Sequence, residues 1–201
     1  MAGEGPRIPF VGLTGGIGAG KSEALSAFER LGAATLSSDA VVHELLATDE
    51  VREELVDRFG PEVAPEGRVD RDAVARLVFG DPDRRSWLEG YLWPKVGERI
   101  WGWRQELDAA ADPPRAAVVE VPLLFEAGMD QAFDHTIAVV ADDAIRAERI
   151  GERGHAGVAS RESRQLSQDE KADRADFAVT NDGTVEELEG ALAAILDTIT
   201  A

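Results

Sequence analysis

The sequence predicts an α/β protein: a three-layer sandwich with a parallel central sheet, a helical insertion and an arginine-bearing lid. Three observations carry this. Residues Gly15–Ser22 read Gly-Gly-Ile-Gly-Ala-Gly-Lys-Ser, the full phosphate-loop pattern G-x-x-x-x-G-K-[ST]. That motif sits between a strand-length apolar run, Ile8–Leu13, and a stretch from Lys21 to Leu31 with apolar residues at helical spacing. Elsewhere short apolar runs alternate with helical patterns, which implies parallel strands covered on both faces.

The elements follow in order. Ala24, Leu25, Phe28 and Leu31 mark one face of the first helix, and Gly32 closes it. A second strand is expected at Ala33–Ser37, with Asp39 just beyond it and a helix over Ala40–Ala47. From Val51 to Leu107 the pattern is helical throughout, and Pro61, Pro65, Pro82 and Pro94 are expected to divide it into short helices. Asp112-Pro113-Pro114 reads as the exit from this insertion, so residues 1–40 and 113–201 form the core and 41–112 the insertion. Strands are expected at Ala116–Val121, Thr136–Val140 and Phe177–Thr180, and a closing helix at Val185–Ile199.

The loop chemistry is direct. Gly15, Gly16, Gly18 and Gly20, with Ile17 and Ala19 between them, allow the backbone to wrap closely around a polyphosphate. Backbone N–H groups and the helix N-terminus then face the anion. Lys21 brings a mobile positive charge to the outer phosphates, and the Ser22 hydroxyl is of the kind that ligates magnesium. A nucleoside triphosphate, with Mg2+, is the ligand this predicts.

Composition bounds the rest. A chain of 201 residues is long enough for one substantial core. Its net charge of −18 opposes nucleic acid and anionic membranes as partners. Arginine outnumbers lysine, of which there are only Lys21, Lys95 and Lys171. A GC-rich coding bias and adaptation to high salt both fit that. With no cysteine, disulfides and thiol catalysis are excluded. No apolar run approaches membrane-spanning length and no signal-peptide pattern opens the chain, so a cytoplasmic location is expected. A monomer is also expected, though neither observation bears on it. His43, His135 and His155 are far apart and suggest no metal site.

Positive charge gathers in one segment, where seven of the 21 basic residues fall between Arg146 and Arg174. Arg146, Arg149 and Arg153 share one helix face, and Arg161, Arg164 and Lys171 follow a similar spacing. Gly151, Gly154 and Gly157 lie at and between the two runs, so residues 143–175 are expected to form an arginine lid over the phosphates. Ligands of parallel sheets bind beyond the C-terminal strand ends, where both the loop and Asp39 are expected. A carboxylate there can take a proton from an attacking hydroxyl or act as a helix N-cap. Trp87, Trp93, Trp101, Trp103 and Tyr91 crowd the insertion; core packing is their simplest role, a stacking surface the alternative.

Together these motifs resemble the dephospho-CoA kinase family over about Phe10–Leu188, within a P-loop kinase-like fold. The likeness rests on Gly12–Ser22, on Leu36-Ser37-Ser38-Asp39-Ala40, and on Gly67-Arg68-Val69-Asp70-Arg71 with Leu77-Val78-Phe79. Val121-Pro122-Leu123-Leu124-Phe125-Glu126 is the most specific stretch. Arg161, Gln165 and Lys171, then Ala175-Asp176 and Asn181-Asp182-Gly183, complete the match. Two positions depart from the family pattern: Ser37 stands for the first of two aspartates, and Trp93 precedes Pro94 where the family places histidine.

The resemblance implies transfer of the ATP γ-phosphoryl group to the ribose 3′-hydroxyl of dephospho-CoA. It makes Asp39, Lys21 and Arg153 catalytic, and adds Arg149 and Asn181 to the ATP site. His43, Arg71, Leu123 and Glu126, with Asp39, become acceptor contacts. The alternatives are a kinase of the same fold acting on a nucleoside, shikimate or gluconate, a GTPase, and a non-catalytic nucleotide-binding module. The Pro-Leu-Leu-Phe-Glu stretch opposes the first. A GTPase wants an Asn-Lys-x-Asp motif, which is absent, and Asp57-Arg58-Phe59-Gly60 falls in a helical pattern.

Overall fold

The computed structural model describes residues 7–153 and 165–201, with the side chains of Glu152 and Arg153 outside that description. Five strands form one parallel sheet in the order β2-β3-β1-β4-β5. They are β1 (Phe10–Gly15), β2 (Ala34–Ser37), β3 (Ala117–Glu120), β4 (His135–Val140) and β5 (Phe177–Thr180). The helices are α1 (Lys21–Arg30), α2 (Ser38–Leu46), α3 (Asp49–Phe59), α4 (Arg71–Val78), α5 (Pro82–Asp108), α6 (Asp143–Arg153), α7 (Gln168–Arg174) and α8 (Val185–Ile199).

The chain divides into two compact units, residues 1–37 with 104–201, and residues 38–103. In the first, β1 is central and buried along its whole length. Val11 and Leu13 of β1, Ile137 and Val139 of β4 and Val179 of β5 pack with Phe28 of α1 and Leu188, Leu192 and Leu196 of α8. The β-branched content of these strands suits a sheet buried on both faces. On the other face a Cβ at Gly12 would collide with Phe133 and Leu124, so glycine is needed there for close packing. The N-terminal ends of two inner strands, β1 and β4, are pinned by carboxylates. Asp134 accepts from the Phe10 N–H (2.9 Å) and from buried Arg104 (2.9 Å). Asp176 accepts from the Thr136 N–H (2.7 Å) and hydroxyl (2.8 Å).

The second unit is all helical around Val41, Leu45, Val51, Leu55, Val63, Val74, Leu92, Val96 and Ile100. Thr48 caps α3 and Asp70 caps α4, each accepting from first-turn N–H groups. Asp39 lies inside the first turn of α2, in an exposed position.

Two expectations are corrected. Pro94 does not divide the insertion: α5 runs unbroken through it for 27 residues. An interior proline clashes with the carbonyl four residues earlier and removes one N–H. That carbonyl belongs to Gly90, and the helix continues past it nonetheless. The tryptophans are also not core residues. Trp93 and Trp101 are exposed (41% and 48%), and Trp87 is half-buried, stacked on Tyr91 with ring centroids 5.4 Å apart. Among the described residues no helix is long and apolar enough to cross a membrane.

Candidate active site

β1 ends at Gly15 and α1 starts at Lys21, so the phosphate loop leaves the C-terminal end of the central strand. Glycine is required at two points. Gly15 has φ 153° and an added Cβ there would strike the Val139 carbonyl oxygen. Gly20 caps α1 in the left-handed region (φ 99°), where a Cβ would overlap the Asn181 amide.

The loop's carbonyl oxygens are all engaged. The Lys21 ammonium donates to the Gly15 and Gly16 oxygens, at 3.1 Å each. Arg146 Nε donates to Ile17 O (2.9 Å) and Arg149 Nη1 to Gly18 O (3.4 Å). Buried Asn181 donates from Nδ2 to Ala19 O (2.9 Å), and the Ala24 N–H reaches Gly20 O (3.0 Å). The Ala19 N–H bonds back to Gly16 O (3.2 Å), and with the oxygens drawn to these donors the remaining loop N–H groups are left to face an anion. Arg149 also donates to the Asn181 carbonyl (3.1 Å), which ties the turn after β5 to the same framework.

Behind the loop lies a buried ammonium. Lys171 of α7 has no exposed surface. Its Nζ donates to Pro122 O (2.6 Å) and to Thr14 Oγ1 (3.3 Å), and pairs with Glu126 Oε1 at 3.0 Å. Burial pushes the Lys171 pKa down, and the Glu126 carboxylate opposes that shift. Glu126 Oε1 also accepts from the Leu166 N–H (2.7 Å), so this carboxylate, expected to meet the acceptor, is held inside its own unit. Leu123 is half-buried in the same turn, its carbonyl accepting from the Ala127 N–H (3.0 Å). Gln168 clasps the Ala141 backbone with two 2.9 Å hydrogen bonds. A cavity of about 290 Å³ beside the loop is lined by Gly16, Arg146 and residues 165–169.

Arg146 and Arg149 thus sit on the loop itself. The Arg153 side chain, with Gly154, Gly157, Arg161 and Arg164 of the expected lid, lies outside the described residues.

The helical unit carries its own concavity, of about 460 Å³, lined among others by His43, Arg52, Arg68, Asp70 and Arg71. Arg71 Nη1 lies 3.0 Å from His43 Nδ1. Arg52 is paired with Asp49 and Glu53, whereas Arg68 has no ion pair among the described residues. The same lining carries Glu66 and Asp70, and Arg68 and Arg71 are the guanidinium groups there without a carboxylate partner among the described residues.

Among the described residues no group of three or more His, Asp and Glu side chains could hold a metal by itself. Ser22 is exposed in the first turn of α1 with its hydroxyl unbonded among those residues. That donor set fits magnesium, which takes few protein ligands and completes its shell with phosphate and water.

A parallel sheet with a glycine loop after its central strand, a loop lysine and arginines from a neighbouring helix define a phosphate-loop kinase. The model of the dephospho-CoA kinase family matches residues 9–187. The dephospho-CoA kinase of Symbiobacterium thermophilum is 38% identical over 88% of this chain and 75% of that one. The Thermus thermophilus enzyme is 35% identical over 95% and 92%. A crystal structure from Thermus thermophilus superposes with a TM-score of 0.79 at 35% identity, covering 96% of this chain and all of that one. The Campylobacter jejuni dephospho-CoA kinase shares the fold, with a TM-score of 0.63 at 24% identity over 94% and 96%. The chain belongs to the dephospho-CoA kinase family.

Proposed function

We propose that the chain transfers the γ-phosphoryl group of ATP to the ribose 3′-hydroxyl of dephospho-CoA, the last step of coenzyme A synthesis, in the cytoplasm. The observation that carries the ATP half is the loop of residues 15–20, whose carbonyls are all drawn to donors. Family membership carries the acceptor.

In this reading residues 1–40 and 113–201 bind the nucleotide, and 41–112 bind the acceptor. The loop amides hold the β- and γ-phosphates. Lys21 exchanges its two carbonyl partners for phosphate oxygens and follows the charge that develops on the transferring group. Ser22 holds magnesium, which neutralises phosphate charge when bound. Asp39 orients the acceptor hydroxyl and takes its proton as the new O–P bond forms and the bond from the γ-phosphorus to the bridging oxygen breaks, releasing ADP. Arg149 and Arg146 keep the loop in shape, and Arg153 supplies charge to the transferring phosphate. Asn181 serves the ATP site through the Ala19 carbonyl rather than through the base. Arg71, braced by His43, and Arg68 bind the acceptor's diphosphate linker, a dianion that suits a pocket edged by guanidinium groups.

The test is an assay with Mg-ATP and dephospho-CoA, the product identified by mass spectrometry. Coenzyme A formed by the parent chain and lost in Asp39→Ala, with ATP still bound, supports the reading. ATP bound but no coenzyme A at any salt concentration would sink it.

A further inference from the structure

Lys171 stands out among the charged side chains because it has no solvent contact and no place in the phosphoryl-transfer scheme above. A buried ion pair is a poor way to gain stability, since apolar residues of similar volume are often as good or better. What the ammonium does is satisfy three different acceptors at once. One is Thr14 Oγ1, on the penultimate residue of β1. The second is the Pro122 carbonyl, just past the end of β3. The third is the Glu126 carboxylate. Thr14 Oγ1 in turn lies 3.4 Å from Pro122 O, to which its hydroxyl donates, so the ammonium, the Thr14 hydroxyl and the Pro122 carbonyl close a ring. All three N–H donors of the ammonium are used.

The next residue after Thr14 is Gly15, whose carbonyl accepts from Lys21. The two lysines therefore grip β1 and the loop from consecutive residues, Lys171 through a side chain and Lys21 through a backbone oxygen. Thr14 is itself fully buried, which leaves its hydroxyl no water to replace the lost partner.

We propose that Lys171 is a positioning residue of the ATP site, fixing through Thr14 and Pro122 O the point at which the phosphate loop leaves the sheet. The proposal rests on the reading of that loop as the ATP site. It also joins the Val121–Glu126 stretch and the Lys171 motif in a single role, in which Glu126 holds the ammonium in place and the ammonium holds Thr14.

Three chains test it: Lys171→Met/Glu126→Gln, which removes both charges together, Thr14→Val, which leaves the Lys171–Glu126 pair intact, and Thr14→Ser, which restores the hydroxyl. The readouts are melting temperature without nucleotide, the Kd for Mg-ATP by titration, and KM for each substrate. Because hydrogen bonds to a buried charge are among the strong ones, ATP affinity in the double variant should fall about tenfold. In Thr14→Val it should fall about threefold, with Thr14→Ser close to the parent and the KM for dephospho-CoA within about twofold throughout. A lowered melting temperature with parental ATP affinity in both the double variant and Thr14→Val would make the cluster purely structural and overturn the proposal. If the double variant does not fold, Thr14→Val against Thr14→Ser decides alone. A parent chain that binds ATP but forms no coenzyme A would sink the acceptor assignment and leave these affinities to judge Lys171. A parent that binds no ATP would overturn the underlying reading and this proposal with it.

Discussion

Around Gly15–Gly20 the loop offers an anion its backbone amides, which Arg146, Arg149 and Asn181 aim by holding the carbonyls. In the helical unit the anion contacts proposed above belong to exposed side chains, Arg68 and Arg71, and the backbone behind them is ordinary helix and turn. The first arrangement leaves no freedom, since the φ angles of Gly15, Gly18 and Gly20 are all positive and a Cβ on any of the three would meet protein atoms. The second tolerates movement, because a guanidinium on a long stem can follow its ligand. A phosphate that must be held in line for transfer calls for the rigid solution. A diphosphate linker remote from the reacting hydroxyl, the ligand proposed for the arginines, has only to be retained and does not.

This contrast can be broken or sharpened by substitution. The largest expected effect is on Asp39→Asn, with kcat reduced about 10²–10⁴-fold while the KM for ATP stays within about twofold. A comparable rise in the KM for ATP would show that Asp39 also serves the nucleotide. Next is Gly20→Ala, in which the left-handed backbone alone costs about 1–2 kcal/mol and the Cβ overlaps Asn181. Titration with Mg-ATP should show affinity weakened at least tenfold, with a lower melting temperature, roughly the loss expected from removing a strong hydrogen-bond donor. Arg71→Ala should raise the KM for dephospho-CoA about tenfold and leave both melting temperature and ATP affinity unchanged, the cost of one charge-assisted contact. Should it unfold the chain instead, the pocket would be as rigid as the loop and the contrast would fail.

The smallest effect concerns pH. Burial holds the Lys171 pKa below the ordinary lysine value of 10.5, so the folded chain gives up this proton before the unfolded chain does. Between the lowered value and 10.5 the unfolded state binds more protons, and stability therefore rises with pH through that window. The Lys171→Met/Glu126→Gln chain lacks this contribution. Its melting temperature relative to the parent should fall as pH is raised from about 8 towards about 11.

Much of the fold is legible in the sequence because its signals are local. The phosphate loop, the run Ala117–Glu120 and the turn after Thr180 are each written in a few adjacent residues, and the strands appear within two residues of their expected ends. The continuity of α5 is not legible in this way, because the local rule against an interior proline does not hold at Pro94. The site divides in the same way. Gly15–Ser22 announce themselves, but nothing near Asn181 says that its amide closes on Ala19. Arg146 and Arg149 share a helical spacing that fits a lid, whereas their guanidinium groups seat on Ile17 and Gly18. Gln168 carries no signal at all, since a bidentate clasp on Ala141 depends on where α7 comes to rest.

The reach of the contacts that aim the loop has a bearing on how the protein is made. The donors to Ile17, Gly18 and Ala19 lie 129, 131 and 162 residues further along the chain. A ribosome adding about 5–20 residues per second needs on the order of ten seconds or more to pass from the motif to its last support. For that interval the most recognisable sequence in the protein is already synthesised and still has no framework to point its amides. Nucleotide affinity should therefore emerge late in synthesis, and a fragment ending before Asn181 would carry the motif without its grip.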